Sequence, residues 1–172
     1  MVIIKIVNGD ITETDCKYIA HQCNCNTVKS HGLSKTIADK WPWADVYSKR
    51  VQIGARNATT QPSIPGTIEL LTNGDITVIC LIAQWAPGKC GDYAKYYPKT
   101  YVDTAENRQS WFKECMSKID DLNLDEITMP FKIGCGLAGG DWKIYEQILQ
   151  DARTKIILGI SLNKRALFKK HT

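Results

Sequence analysis

The stretch Gly134-Cys135-Gly136-Leu137-Ala138-Gly139-Gly140 puts four glycines into seven residues. Without Cβ atoms in the way, backbone N–H groups there can approach an anion closely, and a helix N-terminus directly after it adds a favourable field. It is not a P-loop, because no Gly-Lys-Ser/Thr follows, and it lies too near the C-terminal end for a standard dinucleotide fingerprint. A tight strand-to-helix turn with no ligand would use the same residues. Asp10 follows the first apolar run and could accept a hydrogen bond from an exocyclic amine such as adenine's, or cap a turn. Asp141-Trp142 closes the glycine stretch. Asp141 is a natural helix N-cap, or a carboxylate able to orient water, and Trp142 could stack on a ligand or cover the core.

The third constellation is His21-Gln22-Cys23-Asn24-Cys25-Asn26, running on to His31-Gly32. Residues 21, 23 and 25 share a face if the strand continues, and three soft donors on one face could bind zinc. No second Cys/His pair at metal spacing accompanies them, so no metal is expected. Asn24 and Asn26 read as donors to hydroxyls or phosphates, and the two cysteines as small buried hydrophobes. His21 reads either as a hydrogen-bonded core histidine or as a catalytic one.

These residues must be held by a frame, and the pattern supplies one. Strands are expected at Val2–Val7, Lys17–Gln22, Thr67–Leu71, Ile76–Ala83, Glu126–Pro130 and Lys155–Ser161. Helices are expected at Leu33–Trp41, Trp43–Arg56, Thr104–Asp120 and Asp141–Arg153. Asn73-Gly74 between two apolar runs signals a hairpin with positive φ at both turn residues. Trp85–Asp103, rich in Gly, Pro and Tyr, reads as a long loop. Alternating strands and helices imply an α/β fold with a mixed sheet flanked by helices, and ligands in such sheets sit beyond the carboxyl ends of strands. The polar loops Asn8-Gly9-Asp10, Cys23–Gly32 and Ile133–Gly140 all follow strands.

At 172 residues the chain is the size of one domain. Its net charge of +4 resides in Lys164, Arg165, Lys169 and Lys170, which leaves the body neutral and implies no general nucleic-acid-binding face. An odd count of seven cysteines with no hydrophobic signal segment points to reduced thiols and a cytoplasmic location. The apolar stretches are too short to cross a bilayer.

In order and spacing, these segments resemble a macrodomain, the ADP-ribose-binding module, from Val2 to about Ser161. Asn8-Gly9-Asp10-Ile11 looks like that family's adenine-side motif. His21-Gln22-Cys23-Asn24-Cys25-Asn26 is similar to the branch of ADP-ribose 1″-phosphate phosphatases, and Met129-Pro130 with Ile133–Leu137 resembles its second phosphate loop. The resemblance implies a single three-layer α/β/α domain over residues 1–161, with a basic tail over 162–172. It implies that Asp10 bonds the adenine amine with Ile11 adding backbone contacts, and that Asn24 and Asn26 face the distal ribose. Gly32 and Leu33 would follow the diphosphate; Gly134, Cys135, Gly136, Leu137 and Ala138 would wrap it from the other side. His21 and Asp141 are the expected acid/base pair, with His31 as substitute. The glycohydrolase branch has a lysine where Gln84 stands and an aspartate where Ala138 stands, so a lysine-adduct route is not expected. The implied activity is phosphate removal from ADP-ribose 1″-phosphate by a monomer without cofactor or metal. The alternatives are a hydrolase acting on ADP-ribosylated protein or nucleic acid, and a reader without turnover.

Overall fold

The computed structural model describes residues 4–160. The tail over 162–172 and the domain limits that rest on it lie outside the described residues. Strands β1 (Ile4–Asn8), β2 (Tyr18–Asn24), β3 (Thr67–Asn73), β4 (Ile76–Gln84), β5 (Glu126–Pro130) and β6 (Lys155–Ile160) form one sheet in the order β1-β6-β5-β2-β4-β3. All neighbours are parallel except β3 and β4. Parallel neighbours need crossovers. Helices α1 (Gly32–Lys40), α2 (Ala105–Asp121) and α3 (Trp142–Gln150) lie within three of those connections.

Burial on both faces explains the unbroken apolar run of β4. Val78, Cys80 and Ile82 face Ile37 of α1 and Tyr47 of the following loop. Ile79, Leu81 and Ala83 face Phe112 and Ile119 of α2 and Tyr145 and Leu149 of α3. The result is three layers, α/β/α, around a mixed central sheet. Each fully buried aliphatic side chain in it contributes about 1.5–3 kcal/mol.

Helix starts follow local chemistry. Thr104 Oγ1 accepts from the Asn107 amide at 3.1 Å, and Asp141 Oδ1 from the Lys143 amide at 3.0 Å. At α1 the N-cap is His31, whose side chain makes no cap bond.

Two expectations are corrected. Trp43–Arg56 is not a helix: a short 3₁₀ turn at Pro42–Ala44 gives way to turns and a Gln52–Thr59 bridge. Asp45 Oδ1 captures the amides of Tyr47 and Ser48, and Arg50 reaches back to the carbonyls of Asn24 and Thr27. Side-chain partners thus took the backbone's place. The hairpin exists, but its two turn residues are Gly74 and Asp75, between the paired Asn73 and Ile76. Gly74 has φ +61, and Asp75 is not left-handed, which fits the Gly-first class of two-residue turn.

Candidate ligand-binding site

The carboxyl ends of β2, β4 and β5 open on a cavity of about 270 Å³ between the N-terminus of α1 and the loop over residues 130–140. That loop spends the amides of Ile133, Cys135, Gly139 and Gly140 on its own turns. Gly134, Gly136, Leu137 and Ala138 lie between them and line the cavity. Gly134 is obligatory: its φ is +76, and a Cβ would stand 2.6 Å from the Tyr145 ring and 2.8 Å from Gln22 Oε1. Across the cavity stand Leu33, Ser34 and the exposed His31. The two walls touch, since a Cβ on Gly32 (φ +55) would meet Leu137 Cδ1 at 2.8 Å.

The electrostatics are one-sided. Lys29, His31 and Lys132 line the cavity, and no carboxylate does among its described lining residues. The α1 N-terminus adds partial positive charge. Beneath the floor, Gln22 Nε2 donates to Gln84 Oε1 at 2.9 Å, and Gln84 Nε2 donates to the Ala86 carbonyl at 3.0 Å. Gln22 Oε1 is buried without a partner and could accept from a ligand hydroxyl.

A buried clamp holds the loops. Arg108, 2% exposed, pairs with Asp103 at 2.7 Å and donates to the carbonyls of Gly88 (2.7 Å) and Ala86 (3.0 Å). A longer bond of 3.3 Å from the same Nη1 reaches the Ala138 carbonyl, so one guanidinium ties together two loops that line the cavity. Burial alone would lower the Arg108 pKa, but the Asp103 hydrogen bonds and charge raise it instead.

Residues singled out in the sequence fall into three groups. His21, Asn24, His31, Leu33, Gly134, Gly136, Leu137 and Ala138 line the cavity, and Gly32 and Cys135 are interleaved with them in the same loops. Asn24 Oδ1 is already taken by the amides of Asn26 and Thr27. Asn26 is fully buried, with Nδ2 on the Trp85 carbonyl at 2.8 Å. Asp10 caps a short turn through Oδ1, which takes both the Thr12 amide and hydroxyl at 2.8 Å; its second oxygen could accept from an amine. Ile11 is buried in the α1-side core. Asp141 lines a separate cavity beside Arg108 and Gly140, so the structure does not bring it to the His21 pocket. Trp142 packs edge-on against Phe131 at 5.3 Å and joins the core. Burial, reinforced by the Asp141 charge, pushes the Cys135 thiol up to about 11.

His21 is 2% exposed on the α1 face of β2. Its Nδ1 is 3.1 Å from Ser34 Oγ, and its Nε2 is 3.5 Å from Cys80 Sγ on β4, where the register pairs the two residues. Cys23 Sγ stands 3.6 Å from Nδ1 and 3.7 Å from Nε2. Burial works against ionising Cys23, yet its bond with the Cys80 thiol and its contacts with His21 and Tyr47 hold it well below its ordinary value. The same bond pushes Cys80 well above.

The architecture has known counterparts. The macrodomain of DarG from Mycobacterium tuberculosis aligns with a TM-score of 0.62 at 15% identity, over 95% of this chain and 100% of that one. The DarG macrodomain of Thermus aquaticus gives 0.61 at 14% identity, again over 95% and 100%. This chain has the macrodomain fold. A DarTG structure from Thermosipho africanus, solved in complex with ADP-ribose, gives 0.58 at 14% identity over 95% of this chain and 43% of that one. No protein-family model and no curated protein matches the sequence. Among the described residues, no helix is long and apolar enough to cross a membrane.

Sequence reasoning missed several residues of this macrodomain cavity. Lys29 and Lys132 are exposed lysines without any local signal, although Lys132 stands two residues before the glycine stretch. Arg108 sits in the first turn of α2, and its partner Asp103 lies in the loop before it, so nothing in the spacing announces a buried pair. Ser34 shows its relation to His21 only once α1 packs on the sheet.

Proposed function

We propose that this chain binds ADP-ribose and removes the phosphate from ADP-ribose 1″-phosphate. The observation that carries the reading is the cavity itself: two glycine-bearing walls, Lys29, His31 and Lys132, and no carboxylate among the described lining residues. Such a site favours a ligand with several negative charges. The macrodomain fold and the ADP-ribose complex of the Thermosipho africanus DarTG support the choice of ligand. Gly32, Leu33 and Gly134–Ala138 would flank the diphosphate, Asn24 would stand near the distal ribose, and Asp10 with Ile11 would serve the adenine end.

In the reaction, water attacks phosphorus in line. The bond from phosphorus to the ribose 1″ oxygen breaks, and that oxygen takes a proton as phosphate leaves. Lysines and loop amides stabilise the charge on the transferring group. Of the expected proton carriers, His31 is the one this geometry favours. It is exposed at the cavity wall and makes no cap bond, whereas His21 has Ser34 and Cys80 at its two nitrogens. Histidine suits the task because its ordinary pKa lies near neutrality. Gln84 at the end of β4 offers no amine for a lysine adduct.

The test is inorganic phosphate release from ADP-ribose 1″-phosphate beside calorimetric binding of ADP-ribose. Turnover that falls about 100-fold or more in His31→Ala, with ADP-ribose affinity retained, supports the reading. ADP-ribose binding without phosphate release overturns the phosphatase. A second reading, hydrolysis of ADP-ribosylated macromolecules, draws on exposed Tyr93 and Tyr96. The Tyr93 ring lies against Gly88 at the cavity rim. Release of ADP-ribose from modified DNA or protein would then replace phosphate release.

A further inference from the structure

We propose that His21, Cys23 and Cys80 form a binding site for one thiophilic d¹⁰ metal ion, Zn²⁺ first, between the sheet and α1. The three side chains project from adjacent strands on one face, and their ligand atoms all lie within 4.8 Å of one another. They are 2%, 0% and 0% exposed.

Geometry is the main argument. Bond lengths of about 2.3 Å to sulfur and 2.0–2.1 Å to nitrogen at a tetrahedral angle put N and S about 3.6 Å apart. From His21 Nε2 the two sulfurs stand at 3.5 Å (Cys80) and 3.7 Å (Cys23). Cys80 is already on the Nε2 side. Cys23 is nearly equidistant from both ring nitrogens, so seating the ion asks its thiol to swing toward Nε2, a rotation about one side-chain bond.

The surroundings fit a resident cation. With Nδ1–H donated to Ser34 Oγ, the tautomer leaves the Nε2 lone pair for a ligand; metal-binding histidines are held in this way. Binding releases the two thiol protons. Two thiolates, a neutral imidazole and a divalent ion sum to zero, which a buried site tolerates far better than an isolated charge. Tyr47 packs in the same cluster as Cys23 and takes the Asn24 amide on its hydroxyl at 3.1 Å, so an oxygen is at hand as a fourth donor. His21 and Tyr47 also line the cavity between α1 and the glycine loop, which supplies an entry path. The sequence pattern pointed instead to residues 21, 23 and 25 and to no metal. β2 ends at Asn24, so Cys25 lies past the strand and outside the cluster, and Cys80 arrives from β4. The inference does not rest on the phosphatase reading; with the ion on Nε2, His21 is a ligand and proton transfer stays with His31.

The experiment is elemental analysis of the purified chain after Zn²⁺ loading and exhaustive dialysis. The absorption spectrum after Co²⁺ exchange is recorded alongside. Expected are one equivalent of metal per chain and an intense thiolate-to-cobalt charge-transfer band. Both should be lost in Cys80→Ala and Cys23→Ala and kept in Cys90→Ser and Cys135→Ser, whose thiols lie outside the cluster. Ser34→Ala should weaken the affinity by about 10–100-fold while leaving the ligands in place. That variant keeps the test decisive if the cysteine variants do not fold. Copper found in the same stoichiometry and lost in the same variants supports the site with Cu⁺ as its occupant. Substoichiometric metal without the band in the loaded wild-type chain overturns the proposal, as does equal retention by Cys80→Ala.

Discussion

Replacing Arg108 with methionine should cost far more than the loss of one side chain on a helix. Nε and Nη2 of Arg108 donate to the two oxygens of Asp103 at 2.7 and 2.8 Å, and three carbonyls take further bonds. Methionine matches the aliphatic stem of arginine but leaves the Asp103 side chain, 0% exposed, without its cation. That carboxylate keeps only the Ala86 amide at 2.9 Å among its described partners. Removing one partner of a buried pair costs about 3–5 kcal/mol. For a chain of this length that lowers Tm by roughly 6–20 °C. The assay is urea unfolding followed by tryptophan fluorescence, read as a shift of midpoint at constant slope. A double variant, Asp103→Leu with Arg108→Met, removes the stranded charge too and should be more stable than Arg108→Met alone. Because the clamp holds the carbonyls of Gly88 and Ala138, from two loops that line the cavity, Arg108→Met should also weaken ADP-ribose binding at temperatures where it remains folded. A midpoint corresponding to less than about 1 kcal/mol, or a double variant that sums the losses of the two singles, would refute the reasoning.

Gly134→Ala forces a side chain into φ +76 and sets its Cβ 2.6 Å from Tyr145, so the loop must move. The conformation alone costs roughly 1–2 kcal/mol, enough for about a tenfold loss of ADP-ribose affinity by calorimetry. Gly136→Ala, with open space around it, should keep the wild-type Tm, and equal behaviour of the two variants would sink the argument. Alkaline stability tests the buried thiols. Burial pushes Cys115 up to about 12, above its unfolded value of about 8.5. The folded state therefore favours the protonated thiol, so its contribution is complete below about pH 8.5 and fades as pH rises toward 12. Cys115→Ala should flatten the fall of the urea midpoint above pH 9 without abolishing it, since Cys135, held up to about 11, acts with the same sign. An unchanged slope would show that Cys115 ionises as freely folded as unfolded.

What was legible in the sequence was what local chemistry decides. Thr104 and Asp141 announced the starts of α2 and α3, and both cap as a short polar side chain before a helix should. The apolar runs of β4 and β5 and the glycine content of residues 134–140 needed no partner to be read. Trp43–Arg56 failed for the opposite reason. Its periodicity suits a helix, but Tyr47 is needed under β2, where its hydroxyl takes the Asn24 amide, and the Arg50 guanidinium lies 4.9 Å from the Tyr47 ring centroid. Tertiary bonds overrode a weak local preference. The cations of the cavity were invisible because an exposed lysine looks the same whether or not loops converge on it.

The face that holds His21 shows where pattern reading stops. Alternation along β2 groups residues 21, 23 and 25, and alternation is sound while the strand is regular. The register with β4 shifts between Cys23 and Asn24, where β2 ends, and Cys25, just past the strand, gives its amide to the Gln84 carbonyl at 3.0 Å. The third ligand then comes from position 80, a contact that depends on the β2–β4 register and on nothing in the His-x-Cys run. Register is set by packing on both faces of the sheet: Ile19 with Val78 toward α1, Ala20 with Ile79 toward α2. A one-residue slip would move every one of these side chains to the wrong face. The cluster is therefore fixed by the core rather than by its own residues. Substitutions that loosen the β2–β4 core should disturb it as surely as loss of a cysteine.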